Sequence, residues 1–150
     1  MPLTPAQEAI LQAAINADAS VSSAVAKADW YSIAGLYNLQ TTSMVWRADI
    51  TPEQIQAGIV ASEAIAQSPQ ALQMAQLLLS TPLIDATKPN VRAQFATIFP
   101  ASSAAVTLTN LTAIGQRQAT KFENLFVSSQ VSSVYGVVLS PLDVQRAMGA

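Results

Sequence analysis

The sequence predicts an all-α protein, a compact bundle of about six or seven short helices. Two observations support this prediction. Several serine-proline and threonine-proline pairs stand before apolar residues that recur at helical spacing. In addition, hydrophobic residues make up 51% of a chain of 150 residues, which is enough for a core. We therefore expect a single helical domain over residues 1–150, in which 41–150 form the core and the N-terminal helices of 1–40 are a candidate assembly arm.

Four helix starts stand out because of their capping chemistry. A hydroxyl at the N-cap accepts a hydrogen bond from a first-turn N–H, and a following proline has a helical φ and no N–H to leave unpaired. Glutamine or aspartate at the third helical position completes three of these starts. The four pairs are Thr4-Pro5, Thr51-Pro52, Ser68-Pro69 and Ser140-Pro141, and the completing residues are Gln7, Gln54 and Asp143.

The apolar spacing sets the extent of the first four helices. One helix runs from Thr4 to about Asn16. A second runs from near Val21 to Tyr37, with Asp29 as an alternative cap that would begin a separate helix there. The other two helices begin at Thr51 and at Ser68. The residues expected to face the core are Ile55, Ile59, Ser62 and Ile65 in the first of them. In the second, this inner stripe consists of Leu72, Ala75, Leu78 and Leu79.

The sequence of the second half of the chain predicts three further helices. A short one around Pro89 stops before Pro100, and residues 100–107 have the composition of an exposed loop. The longest helix is expected over about Leu108 to Phe126. A final short helix begins at Ser140 and passes through Met148.

The composition of two segments predicts extended backbone instead of helix. Thr41–Trp46 and Ser132–Val138 are rich in β-branched and aromatic residues, and a capped proline start follows each at the same spacing. Two interpretations of this faint repeat remain open. Either the segments pair as a small two-stranded antiparallel ribbon beside the bundle, or a common helix-start signal occurs twice by chance.

The composition argues against most catalytic chemistry. The chain has no cysteine and no histidine, so the usual nucleophilic thiol, the usual general base near neutral pH and the commonest metal ligands are missing. Its five glycines are scattered, which excludes a phosphate-binding glycine loop. The acids form no calcium-binding run, and neither S-x-x-K nor G-x-S-x-G occurs. We therefore expect a protein that is not an enzyme and has no cofactor and no metal.

The charge content points to association. Only 11% of the residues are charged, against roughly a quarter in ordinary soluble domains. Either much of the surface is covered by neighbours in an assembly, or the chain is an unusually neutral monomer. The net charge of −2 gives no basic field for nucleic acid, no stretch is apolar enough for a membrane span, and the N-terminus has no signal-peptide pattern. We expect synthesis in the cytoplasm, no direct nucleic acid binding and no membrane insertion.

A few residues are candidates for contact or structural roles. The aromatic residues of the first third are either an interface hot spot or core. Trp46 and Arg47 are expected at the ribbon junction, and Arg47 could stack on an aromatic ring and pair with a carboxylate. Arg117 and Lys121, four apart on the predicted long helix, are a patch for an acidic partner or simply a solvated face. The full set of candidates is Trp30, Tyr37, Trp46, Arg47, Arg117, Lys121 and Phe122.

Several stretches, taken in order, resemble the small, poorly characterised virion-associated proteins of tailed bacteriophages. The resemblance covers about residues 40–148 and contains no catalytic residues. It implies a phage origin and a role in the virion or in its assembly. The stretches are Met44–Ile50 with Thr51–Ile55, Asn90–Ala93, Leu111 to Arg117, Ala119–Glu123 with Leu125-Phe126, and Leu139–Pro141 with Asp143-Val144.

Together the resemblance and the composition lead to one expectation and two alternatives. We expect a non-enzymatic structural component of a tailed-phage virion, present in many copies on the tail side, at the baseplate or fibre. Its partners would be other virion proteins and copies of itself. The alternatives are an adaptor ring at the head-tail neck, and a phage regulatory binding protein outside the virion.

Overall fold

The computed structural model describes residues 2–126 and 136–150 of the chain. In this part the protein is mostly helical, with ten α-helices and a two-stranded antiparallel sheet. The predicted helical class is confirmed, and the number of helices is larger than expected. The difference arises because three of the predicted helices are each divided in two.

The elements are numbered in chain order. The helices are α1 Pro5–Ala17, α2 Ser22–Ala26, α3 Trp30–Tyr37, α4 Pro52–Gly58, α5 Ala61–Ile65, α6 Pro69–Leu79, α7 Pro89–Ile98, α8 Ala105–Ile114, α9 Lys121–Asn124 and α10 Pro141–Ala147. The strands are β1 Gln40–Trp46 and β2 Gln116–Thr120.

The four predicted helix starts are all present. At Thr4, Thr51, Ser68 and Ser140 the side-chain hydroxyl accepts a hydrogen bond from the backbone N–H three residues further on. The third-position glutamine or aspartate accepts a return bond from the cap N–H in α1, α4 and α10. Local side-chain chemistry was therefore sufficient to locate these helix starts.

Two predicted helices are interrupted by local backbone geometry. Ala28 has a φ of +51°, which a continuous right-handed helix does not allow, and Asp29 caps α3 by accepting from the Ser32 N–H at 3.1 Å. The helix from Thr51 stops at Gly58, because the N–H of Val60 donates to Thr107 Oγ1 at 3.0 Å instead of to its own helix. As a consequence, Ile65, the last residue of the inner stripe predicted for this helix, is not buried, and 83% of it is exposed.

The predicted long helix over Leu108 to Phe126 is wrong. Its first part belongs to α8, which begins at Ala105, inside the segment expected to be an exposed loop, and ends at Ile114. After Gly115, residues Gln116–Thr120 form β2. Pairing with β1 provides hydrogen-bond partners for the backbone here. The Arg47 N–H donates to the Gly115 carbonyl at 2.8 Å, and the Lys121 N–H donates to the Leu39 carbonyl at 2.9 Å. A capping box at Thr120 then begins α9.

The antiparallel ribbon therefore exists, but with a different second strand. β1 contains the predicted segment Thr41–Trp46, and it pairs with β2. Residues 132–135 of the other predicted segment lie outside the described residues, and Gly136–Val138 are not in a strand. The repeat persists in its second half, because Thr51 and Ser140 both begin helices with a capping box.

The chain divides into two compact units. Unit 1 comprises Met1–Ser43 and Gln118–Ala150, and unit 2 is the continuous segment Met44–Arg117. The chain passes from one unit to the other within β1 and within β2. In unit 1, α1 and α3 pack against α10, and the buried core residues are Leu3, Leu11, Ile15, Val21, Ile33, Ala34, Tyr37, Phe122, Phe126, Leu139, Val144 and Ala147.

Unit 2 has a core of its own. Helices α4 and α7 pack against α8, and α6 packs against α7. An antiparallel bridge between Ile50 and Ile84 ties the segment before α4 to the segment after α6. The buried core residues are Ile50, Ile55, Ala75, Ile84, Ala86, Phe95, Ile98, Phe99, Ala104 and Leu111.

Candidate functional site

An apolar groove lies in unit 2, and we call it the α6–α7 groove. Its volume is about 320 Å³, near the lower end of the range for ligand pockets. Its lining residues come from α6, from the segment that connects α6 to α7, and from the first part of α7. Its apolar lining consists of Met74, Leu77, Leu78, Leu83, Ile84 and Val91.

The groove forms because α6 has more apolar residues than one face can bury. Of the predicted inner stripe, Ala75 is buried and Leu78 and Leu79 are half-buried against the core of unit 2. Leu72, the fourth residue of that stripe, is 37% exposed. Met74 and Leu77 lie on another face and remain 40% and 73% exposed. Leu83, which follows the helix-ending Pro82, is 56% exposed.

The surroundings of the groove carry very little charge. No acid or base occurs between Glu63 and Asp85. At the edge of the groove Asp85 and Lys88 form a loose ion pair, with 3.8 Å between the carboxylate and the ammonium nitrogen. The Thr87 N–H and hydroxyl both donate to the Asp85 carboxylate, at 3.0 Å and 2.5 Å, so this acid is held in place. A surface of this kind is suited to binding another apolar surface.

Over residues 2–126 and 136–150, no three acidic side chains come together in a way that could hold a metal ion. In the same part of the chain, no helix combines the length and the apolar character that crossing a bilayer requires.

Two of the sequence candidates, Tyr37 and Lys121, meet in unit 1 around Asp18. Lys121 Nζ donates to Asp18 Oδ2 at 2.5 Å and lies 4.8 Å from the centre of the Tyr37 ring. The Tyr37 hydroxyl donates to the same carboxylate at 3.4 Å. This arrangement ties the end of α1 to α3 and α9, and it stabilises the helices of unit 1.

The electrostatics of this cluster follow from those contacts. The hydrogen bonds from Lys121 and then Ser20 hold the pKa of Asp18 at about 2. Burial, followed by the nearby Asp18 charge, raises the pKa of Tyr37 to about 12. Both groups therefore keep one protonation state across the physiological range, which is typical of a structural role.

Two further candidates, Phe122 and Trp30, belong to the core of unit 1. Phe122 is fully buried and meets Phe126 edge to face, with 5.2 Å between ring centroids. Trp30 is half-buried and packs against the same cluster. Tyr31 is the aromatic residue of this region that lies largely in solvent.

Trp46 and Arg47 lie in unit 2, at the end of β1 and just after it. Trp46 is half-buried against the core, and the guanidinium over its ring, at 5.0 Å, is that of Arg92. Arg47 instead pairs with Asp49, with 2.9 Å between Nε and Oδ1, and lowers the pKa of that carboxyl. The expected carboxylate pairing of Arg47 is therefore present, and the aromatic stacking is made by a different arginine.

The predicted strip of Arg117 and Lys121 on one helix face is not formed. Arg117 lies in β2, and Lys121 is the first residue of α9. Because the chain is extended between them, the spacing of four does not place the two side chains on a common helical face. The acidic-partner interpretation of this strip therefore loses its geometric basis.

The α6–α7 groove was not among the sequence expectations, and Met74, Leu77 and Leu83 were not among the candidate residues. A usable signal was present, since α6 has apolar residues on more than one face and is followed at once by another leucine.

Comparison with protein-family models, with curated proteins and with solved structures returns no match.

Proposed function

We propose that this protein is a non-enzymatic structural or assembly component of a tailed-phage virion, used in many copies on the tail side, at the baseplate or fibre. The observation that carries the binding part of the proposal is the exposed apolar surface around the α6–α7 groove, where Asp85 and Lys88 are the charged lining residues. Leucine side chains exposed to this degree beside a groove are costly to leave in water, so contact with another protein surface is favourable.

The composition supports a role in an assembly. A surface with few charged groups is poorly protected against association, and burying it against neighbours requires little desolvation of ions. The pattern resemblance to virion-associated phage proteins supports the particular assembly. A tail-side position is preferred over an adaptor ring at the neck.

The test is quantitative mass spectrometry of gradient-purified particles of the encoding phage. We expect this chain at many copies per particle, and enriched in tails after heads and tails are separated. A replication protein of the same phage provides the background level for cytoplasmic carry-over.

Each other outcome has a definite meaning. Enrichment at the head-tail junction would assign the chain to the neck adaptor. Absence from particles, together with abundance in infected cells, would overturn the virion role and favour the regulatory binding protein.

A further inference from the structure

We propose that the α6–α7 groove is the docking surface for a second copy of this chain, in a symmetric contact in which each copy inserts Leu77 into the groove of the other. This inference rests on the proposed multi-copy function and names the partner that the groove accepts.

The first argument is that one element supplies both halves of the contact. Leu77 projects from α6 with 73% of its surface exposed, and the same helix forms a wall of the groove. A twofold contact requires that a single patch be complementary to itself. A patch with a projecting side chain next to a groove meets this requirement, because each copy can place its projection in the groove of the other. The groove volume of about 320 Å³ suits a few apolar side chains.

The second argument concerns the polar residues of α6. Gln70, Gln73 and Gln76 are exposed on this helix. A glutamine amide has both donors and an acceptor, so it can bond to the same residue of another copy, whereas like charges would repel. Since no charged residue occurs from Ala64 to Ile84, two copies can approach here without burying like charges.

The third argument is the charge arrangement at the groove edge. Asp85 and Lys88 are one acid and one base, and their mutual distance of 3.8 Å is loose. About a twofold axis, the acid of one copy can meet the base of the other, which makes the edge self-complementary. A partner of strong single-sign charge would find no matching field on this surface.

The fourth argument is the concentration of exposed apolar residues. Of the twelve large hydrophobic residues exposed in the described part of the chain, five fall within residues 65–83. Three of them, Met74, Leu77 and Leu83, line the groove. Exposed apolar residues are thus concentrated beside the groove that has the self-complementary edge.

The experiment is sedimentation velocity of the full-length chain over a concentration series, with Leu77→Asp and Ile65→Asp compared with wild type. We expect wild type to dimerise with a Kd tighter than about 1 mM. Leu77→Asp should raise the dimer Kd by about 30-fold or more, the effect of losing a central interface residue. Ile65→Asp is the matched control, because Ile65 is equally exposed in the same uncharged segment but does not line the groove.

Thermal melts keep the result interpretable. Leu77 is mostly exposed, so Leu77→Asp should melt within a few degrees of wild type. Leu83→Asp, at the other edge of the groove, should weaken the dimer in the same way if Leu77→Asp alters the fold. A strictly monomeric wild type, or equal weakening by the groove variants and Ile65→Asp, would overturn the proposal.

Cross-linking gives a second readout, because the chain has no cysteine. Leu77→Cys then carries the single thiol of the chain, and a short bismaleimide should join two copies efficiently. Ile65→Cys should give much less cross-linked dimer, and equal yields would contradict the assignment. Particle mass spectrometry remains separate: many copies in the virion with no groove-dependent dimer would leave the proposed function standing and remove only this inference.

Discussion

At the scale of single residues, the polar side chains of the described structure mainly hold elements together. Glu63 illustrates this, because its carboxylate accepts from the backbone N–H groups of Val106 and Thr107, at 3.1 Å and 2.7 Å, at the start of α8. The hydrogen bond from Thr107 lowers the pKa of Glu63. Since α8 has no side-chain cap of its own, this distant acid replaces one.

Asp18 gives the clearest prediction at this scale. Its pKa in the folded protein is about 2, below the ordinary value of 3.8, so the ionised form stabilises the fold. That contribution is fully present above pH 4 and is lost as the pH falls through about 2. Asp18→Asn should therefore be less stable than wild type at pH 7, and the difference in free energy of unfolding should shrink below pH 4.

Urea unfolding at a series of pH values measures this difference. A double-mutant cycle with Lys121→Gln isolates the ion pair, and the coupling should be clear at neutral pH and weak near pH 2. A stability gap independent of pH would show that the carboxylate charge contributes nothing.

At the scale of elements, helix packing distinguishes two glycines of the described structure. Gly58 ends α4 where it approaches α8, and a Cβ there would lie 2.7 Å from Ile114 Cδ1 and 3.2 Å from Leu111 Cδ2. Gly35, inside α3, faces open space, with no atom within 4 Å of the corresponding position. The same substitution should consequently have opposite effects at the two sites.

We expect Gly58→Ala to destabilise the protein by about 1–2 kcal/mol through overpacking. Gly35→Ala should stabilise it by about 0.5–1 kcal/mol, because alanine loses less conformational entropy in a helix. Both free energies come from urea or thermal unfolding of the purified variants. Equal effects at the two positions would mean that α4 does not approach α8 as closely as described.

At the scale of the whole molecule, the two units differ in how the chain builds them. Unit 2 is one continuous segment with its own core, whereas unit 1 needs both ends of the chain. In particular, α1 and α3 pack against α10, which begins more than a hundred residues further on. Independent folding should therefore be a property of unit 2.

The prediction is that residues 44–117 expressed alone remain helical and unfold cooperatively, at a lower Tm than the full chain because small cores are marginal. Circular dichroism melts and amide chemical-shift dispersion measure both properties. Residues 1–43 alone should show little stable helix, which makes them the matched control. A fragment 44–117 without a cooperative transition would contradict the autonomy of unit 2.

The sequence by itself determined the helical class and the four proline-linked helix starts. A hydroxyl cap and its proline act over three or four residues, so the local sequence contains all that is needed to recognise them. The extended character of Thr41–Trp46 was recognisable for the same reason.

Only the tertiary structure decided where helices break, what β1 pairs with and where the groove lies. Gln116–Thr120 has no strong strand preference, and it becomes a strand because the backbone of β1 supplies hydrogen-bond partners. Likewise, Arg92 reaches Trp46, and Lys121 reaches Asp18, across separations that no local pattern encodes. These features depend on contacts between residues distant in the chain, whereas capping depends on neighbours, and that is the physical reason for the division.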